Sequence, residues 1–140
     1  MSNRNDARGG GGWAEAMNTW HSTNTTFRDN YIHDNWGEGI DFIASSGGVA
    51  AGNTVVDNFS ALIYIDGSSN ISITSNHLTT TKTTFYRGSN PAFGVLMADE
   101  GGSRGVANIT ITNNVLAHTG GISSWNVTPT NLVTSGNTVS

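Results

Sequence analysis

The sequence predicts an all-β solenoid with a 23-residue period, and three observations predict it. Asn30, Asn53 and Asn76 are spaced 23 and 23 apart; Asn114 follows after 38 more and Asn137 after another 23. Two positions beyond each asparagine stands an aliphatic residue: Ile32, Val55, Leu78, Leu116 and Val139. Short runs of period-2 apolar alternation flank the asparagines, as expected of strands with one buried face. A coil of this size cannot bury its own apolar face, but stacked coils share one continuous core.

The elements follow from that register. Before the asparagines, Ile71 and Ile73 match Ile109 and Ile111, then Leu132 and Thr134, and less closely Thr25 and Phe27. A second strand contributes Ile40 and Phe42, Ile63 and Ile65, Val95 and Met97, and Ile122. Carried backwards, the register sets Met17 opposite Ile40 and makes residues 2–24 a degenerate first coil. About six coils result, with strands stacked in parallel roughly 4.8 Å apart. The asparagines fall at turns, where a ladder of side-chain amides would satisfy backbone groups that the turn leaves open. The step of 38 is one period plus 15 residues, so 79–107 is a loop-bearing coil. The strand GVLM divides the extra length into a loop at 79–93 and another at 98–107. A doubly wound α/β fold is excluded because no helical pattern of ten or more residues separates the strands. A β-sandwich gives no reason for a recurring 23-residue offset.

The paired segments NISITSNHL (70–78) and NITITNNVL (108–116) resemble the right-handed parallel β-helix superfamily, the pectate-lyase-like fold. The resemblance runs from about residue 24 to residue 140 and implies a right-handed parallel β-helix solenoid. The fold hosts lyases, hydrolases, epimerases and non-catalytic surface or tail proteins, so it leaves the activity open. It implies an extracellular or cell-surface location and a polysaccharide or oligosaccharide as partner. It also admits Ca²⁺ as a cofactor, bound by carboxylates.

Composition narrows the partners. Ten acidic residues oppose six basic ones, a net charge of −4, which argues against a nucleic-acid backbone reader and gives no attraction to an anionic membrane. There is no cysteine, hence no disulfide or thiolate chemistry. The stretch MSNRNDARGGGG has no apolar core and does not form a signal peptide. The final NLVTSGNTVS stops midway through a repeat, so the expectation is a segment of a longer solenoid, or end-to-end self-association.

Candidate site residues lie on the outer face. Trp13, Trp36 and Phe59 share one coil position, Glu15 and Glu38 a second, and Asn18, Asp41 and Tyr64 a third that points outward. The aromatic column either covers a turn by stacking or offers sugar rings a platform. Glu38 and Asp41 are the candidate acid and base for glycoside hydrolysis, which uses paired carboxyl groups. His33 is a candidate for proton transfer. Where the resemblance implies a lyase, Arg28, Lys82, Arg87 and Arg104 are candidate bases, and Asp41, Asp66, Asp99 and Glu100 candidate cation ligands. In the first loop Tyr86 and Arg87 suit glycan contact. The linear sequence shows no tight cluster of acids and no His/Cys metal set, so a non-catalytic structural or adhesive solenoid segment is the alternative.

Overall fold

The computed structural model describes residues 14–82 and 90–140; Trp13, Phe85, Tyr86 and Arg87 lie outside the described residues. Three parallel sheets of five strands wind along one axis. The first holds β1 (Met17–Trp20), β4 (Ile40–Ile43), β7 (Ala61–Asp66), β10 (Phe93–Ala98) and β13 (Ile122–Trp125). The second holds β2 (Thr26–Arg28), β5 (Ser46–Ala51), β8 (Ser69–Thr74), β11 (Ala107–Thr112) and β14 (Thr130–Ser135). The third holds β3 (Tyr31–His33), β6 (Thr54–Val56), β9 (His77–Thr79), β12 (Val115–Ala117) and β15 (Thr138–Val139). The described chain thus makes five turns rather than about six, each of three strands.

The expected register holds. Met17 pairs with Ile40, Ile40 with Ile63, Ile63 with Val95 and Val95 with Ile122. The loop-bearing coil divides as its sequence suggests. Ile63↔Val95 advances 32 residues and Ile71↔Ile109 advances 38, so nine extra residues precede β10 and six follow it. Inward side chains form one core, including Ile32, Ile40, Phe42, Val55, Ile63, Ile71, Leu78, Val95, Ile109 and Leu116. Gly48 occupies the inward column ahead of Ile71 because a Cβ there would stand 2.4 Å from the Phe42 ring.

Each corner repeats one device. A residue in the left-handed region turns the chain, and the next residue stacks its side chain on the neighbouring coil. Between the second and third sheets the turning residues are Asp29, Gly52, Ser75, Asn113 and Gly136, all at positive φ. The stacked residues are the five periodic asparagines. Asn53 Oδ1 accepts the backbone N–H and side-chain amide of Asn30, at 3.0 and 2.9 Å. Asn76 does the same for Asn53, Asn114 for Asn76 and Asn137 for Asn114. The spare amide hydrogen returns to a carbonyl in the earlier coil, as from Asn76 to Ala50 and from Asn114 to Ile73. Between the first and second sheets serine takes this role: Ser45 accepts from Ser22 N and Ser68 from Ser45 N. A further outer ladder joins Asn70, Asn108 and Asn131, which accounts for two N-x-S/T triplets by their place in the coil.

Asn76→Ala should therefore cost about 3 kcal/mol or more, since it strands two donors and a carbonyl in a dry corner. Asn30→Ala, at a half-buried position in the first described turn, should cost about 1 kcal/mol. Urea unfolding of both variants checks the contrast, and equal losses would contradict the ladder's role.

Candidate functional site

The corner between the third and first sheets builds the site. Asp34-Asn35-Trp36 and Asp57-Asn58-Phe59 are the same turn in successive coils. Asp34 and Asp57 take positive φ, and the fully buried Asn35 donates its side-chain amide to Asn58 Oδ1 at 2.6 Å. This fixes the two aromatics one above the other, with Trp36 tilted on Phe59 at 5.7 Å between ring centroids. Lys82 pairs with Asp34 and stands 3.9 Å from Asp57, fastening the same corner.

From the corner the chain runs through Gly37-Glu38-Gly39 onto β4. A Cβ on Gly39 would stand 2.5 Å from the Leu62 carbonyl oxygen and 2.6 Å from Val55, so only glycine lets this segment press on the next coil. Glu38 is held there at 8% exposure, and three residues on Asp41 points outward yet is only 1% exposed. Glu15, one coil earlier, brings a carboxylate oxygen to within 4.8 Å of oxygens of Glu38 and Asp41. The cluster missing from the linear sequence is made by stacking.

A groove of about 1010 Å³ lies over this floor. It is lined by Glu15, Glu38, Asp41, Asp66 and Glu100, with Phe59, Tyr64, Phe93 and Trp125 among the aromatics. The loop after β10 delivers Glu100. Asp99 shapes that loop by accepting the N–H groups of Arg104 and Gly105 at 3.1 and 2.8 Å. Glu100 N donates to Asp66 Oδ1 at 2.8 Å, and the Tyr64 hydroxyl donates to Glu100 Oε1 at 2.7 Å.

Burial sets the electrostatics. It raises Glu38 to about 7, and the Glu15 and Glu100 charges push the same way, against a bond from Ser60 that lowers it. Asp41 is driven well above the ordinary carboxylate range, first by burial and then by Glu38, Glu15, Asp66 and Glu100. Asp66 is raised more modestly by burial, opposed by the Glu100 N–H. Tyr64 is raised by burial and by its bond to Glu100. Among the described residues, Asp41 Oδ1 has no hydrogen-bond partner. Carboxyl oxygens this close and this dry share protons or a hard cation. Three residues supply only part of the six to eight oxygens that Ca²⁺ takes.

Of the expected site residues, the fold brings Glu38, Asp41, Phe59 and Tyr64 into one groove, with Trp36 stacked behind Phe59. It places two others elsewhere: Arg28 is exposed on the second sheet. His33 lies on the third sheet, with its Nδ1 2.9 Å from Asp34 Oδ2 and its ring 4.8 Å from that of Tyr31. Trp20 and Trp125 on the first sheet were missed; strand alternation, extended two residues past the Asp41 column, would have found them.

The chain belongs to the family described as right handed beta helix region, whose model matches residues 5–139. Neither the curated proteins nor the solved structures gave a match.

The raised Glu38 has a consequence for stability. Its folded value lies above its unfolded one, so the native state holds the proton more tightly, and stability falls as pH rises from about 4.5 to about 7. The group's share of the loss is on the order of 3 kcal/mol, and Glu38→Gln should flatten that part of the slope. Thermal melts of both proteins between pH 4.5 and 8 provide the check.

Proposed function

We propose that the groove on the outer face of the first sheet binds a polysaccharide and hydrolyses its glycosidic bonds. The observation that carries this reading is the meeting, in one groove, of a nearly buried glutamic acid, an exposed carboxylate on Glu100 and aromatic rings. Glycoside hydrolysis needs an acid that keeps its proton near neutrality and a second, ionised carboxylate across the scissile bond. Glu38 suits the first role, donating its proton to the leaving oxygen. The exposed Glu100 suits the second, as base or nucleophile at the anomeric carbon. Asp41, only 1% exposed, forms part of the floor beside Glu38, and burial keeps Glu38 protonated. Phe59, Phe93 and Trp125 offer apolar faces to the axial C–H groups of pyranose rings, and the acids accept their hydroxyls.

A second reading is favoured by the unpartnered Asp41 Oδ1 beside Glu15 and Glu38. A Ca²⁺ ion there would draw in a uronate carboxylate, and the chemistry would be β-elimination rather than hydrolysis, with the Glu100 carboxylate taking the C5 proton and the glycosidic oxygen at C4 leaving with its chain.

Incubation with neutral and uronate polysaccharides, with and without Ca²⁺, separates these readings. Hydrolysis yields new reducing ends without unsaturated products, and Glu38→Gln should lower that rate by about 100-fold or more while leaving binding intact. Unsaturated ends appearing only with Ca²⁺ would establish the lyase. Binding without products would make the groove a recognition surface, and no binding at all would leave a structural solenoid segment.

A further inference from the structure

Pairing on the first sheet defines two columns on its outer face, running along the solenoid axis. One is Asn18, Asp41, Tyr64, Leu96 and Ser123; the other is Trp20, Ile43, Asp66, Ala98 and Trp125. The second column carries a tryptophan on β1 and another on β13. Trp20 is 70% exposed and Trp125 58%. A lone exposed apolar residue on a protein surface needs no explanation. Two of the largest side chains in one column, Trp125 lining the acid-lined groove and Trp20 paired beside the lining residue Ile43, are a different matter. Between them Ile43 and Asp66 are half-buried and Ala98 is buried, so the rings stand at the two ends of a lower floor. The His21 ring lies 5.1 Å from that of Trp20 and supports it from the side.

Length and charge identify the occupant. Trp20 and Trp125 are separated by four strand spacings, about 19 Å, and an extended glycan advances by roughly one strand spacing per pyranose ring. Rings stacked on the two tryptophans would therefore be four steps apart, the first and fifth of a chain laid along the axis. Among the described residues, the groove lining includes five carboxylates and no basic side chain. Such a lining repels a polyuronide and accepts hydroxyl donors. We infer that Trp20 and Trp125 are stacking platforms for the first and fifth rings of an uncharged, extended glycan laid along the trough. This rests on the reading of the groove as a glycan site and adds to it the substrate's charge, length and direction.

Calorimetric titration with cello-, xylo- and manno-oligosaccharides of two to six rings tests the inference, with pentagalacturonate as the charged comparison and no added cation. Glu38→Gln protein keeps the ligands intact. For at least one neutral series, affinity should rise up to five rings. Trp20→Ala and Trp125→Ala should each weaken pentaose binding roughly tenfold. Trp125→Phe should restore most of it, and all variants should melt at the parent temperature, since both rings are exposed. Pentaose binding unmoved by either alanine would overturn the platforms and leave the glycan groove standing. Binding of pentagalacturonate alone would overturn the uncharged class. If no oligosaccharide binds, both this inference and the glycan reading fail.

Discussion

A side-chain oxygen on one coil accepting a backbone N–H from the coil before it is the interaction on which the rest of this molecule depends. Parallel strands satisfy their own backbone groups, but each corner breaks the ladder and leaves donors in a place water cannot reach. Asparagine and serine close the gap at the three corners, each directly after a residue turned into the left-handed region. Only a short polar side chain can reach the neighbouring coil from there. The corners are thereby fixed in height and angle, and the sheets between them need supply only inward-facing apolar residues.

The site follows from the same constraint. Once Asn35 stacks on Asn58, the residues after each asparagine have no freedom of register, so Trp36 must lie over Phe59 and Glu15, Glu38 and Asp41 must converge. Carboxylates that would repel one another in a mobile loop are held together because the strands carrying them are paired for reasons unrelated to charge. The cost appears as raised proton affinity in Glu38 and Asp41. The loop after β10 is less constrained by the coil. It needs its own fastening, which Asp99 provides from within and the Asp66 carboxylate from the neighbouring strand.

How much of this was legible in the sequence depended on whether a feature obeyed the period. The strands, the asparagine ladder, the pairing of Met17 with Ile40 and the division of the extra residues around β10 were all readable, because a one-residue slip would turn every apolar side chain outward. The outward direction of Asp41 was readable too. Its burial was not, because that depends on Glu38 and the neighbouring loops folding over it, and loop paths carry no periodic signal. The acid cluster escaped a linear search for the same reason: Glu15 and Asp41 are neighbours only across coils. Arg28 and His33 looked close to the site in sequence, yet each lies beyond a corner, and a corner carries a side chain to a different face.

The 15 residues inserted around β10 also bear on how the chain finds this structure. Every strand pairing joins residues one coil apart, so forming each new coil closes a loop of about the same size. Even where the asparagine ladder spans 38 residues instead of 23, the added closure entropy is only about 0.4 kcal/mol. Nucleation can thus begin at whichever coil pair orders first and spread in both directions, as in a one-dimensional zipper. A loop can lengthen beside the groove with little penalty to the rate or the register of that spreading, which leaves the walls of the groove free to diverge while the rod behind them does not.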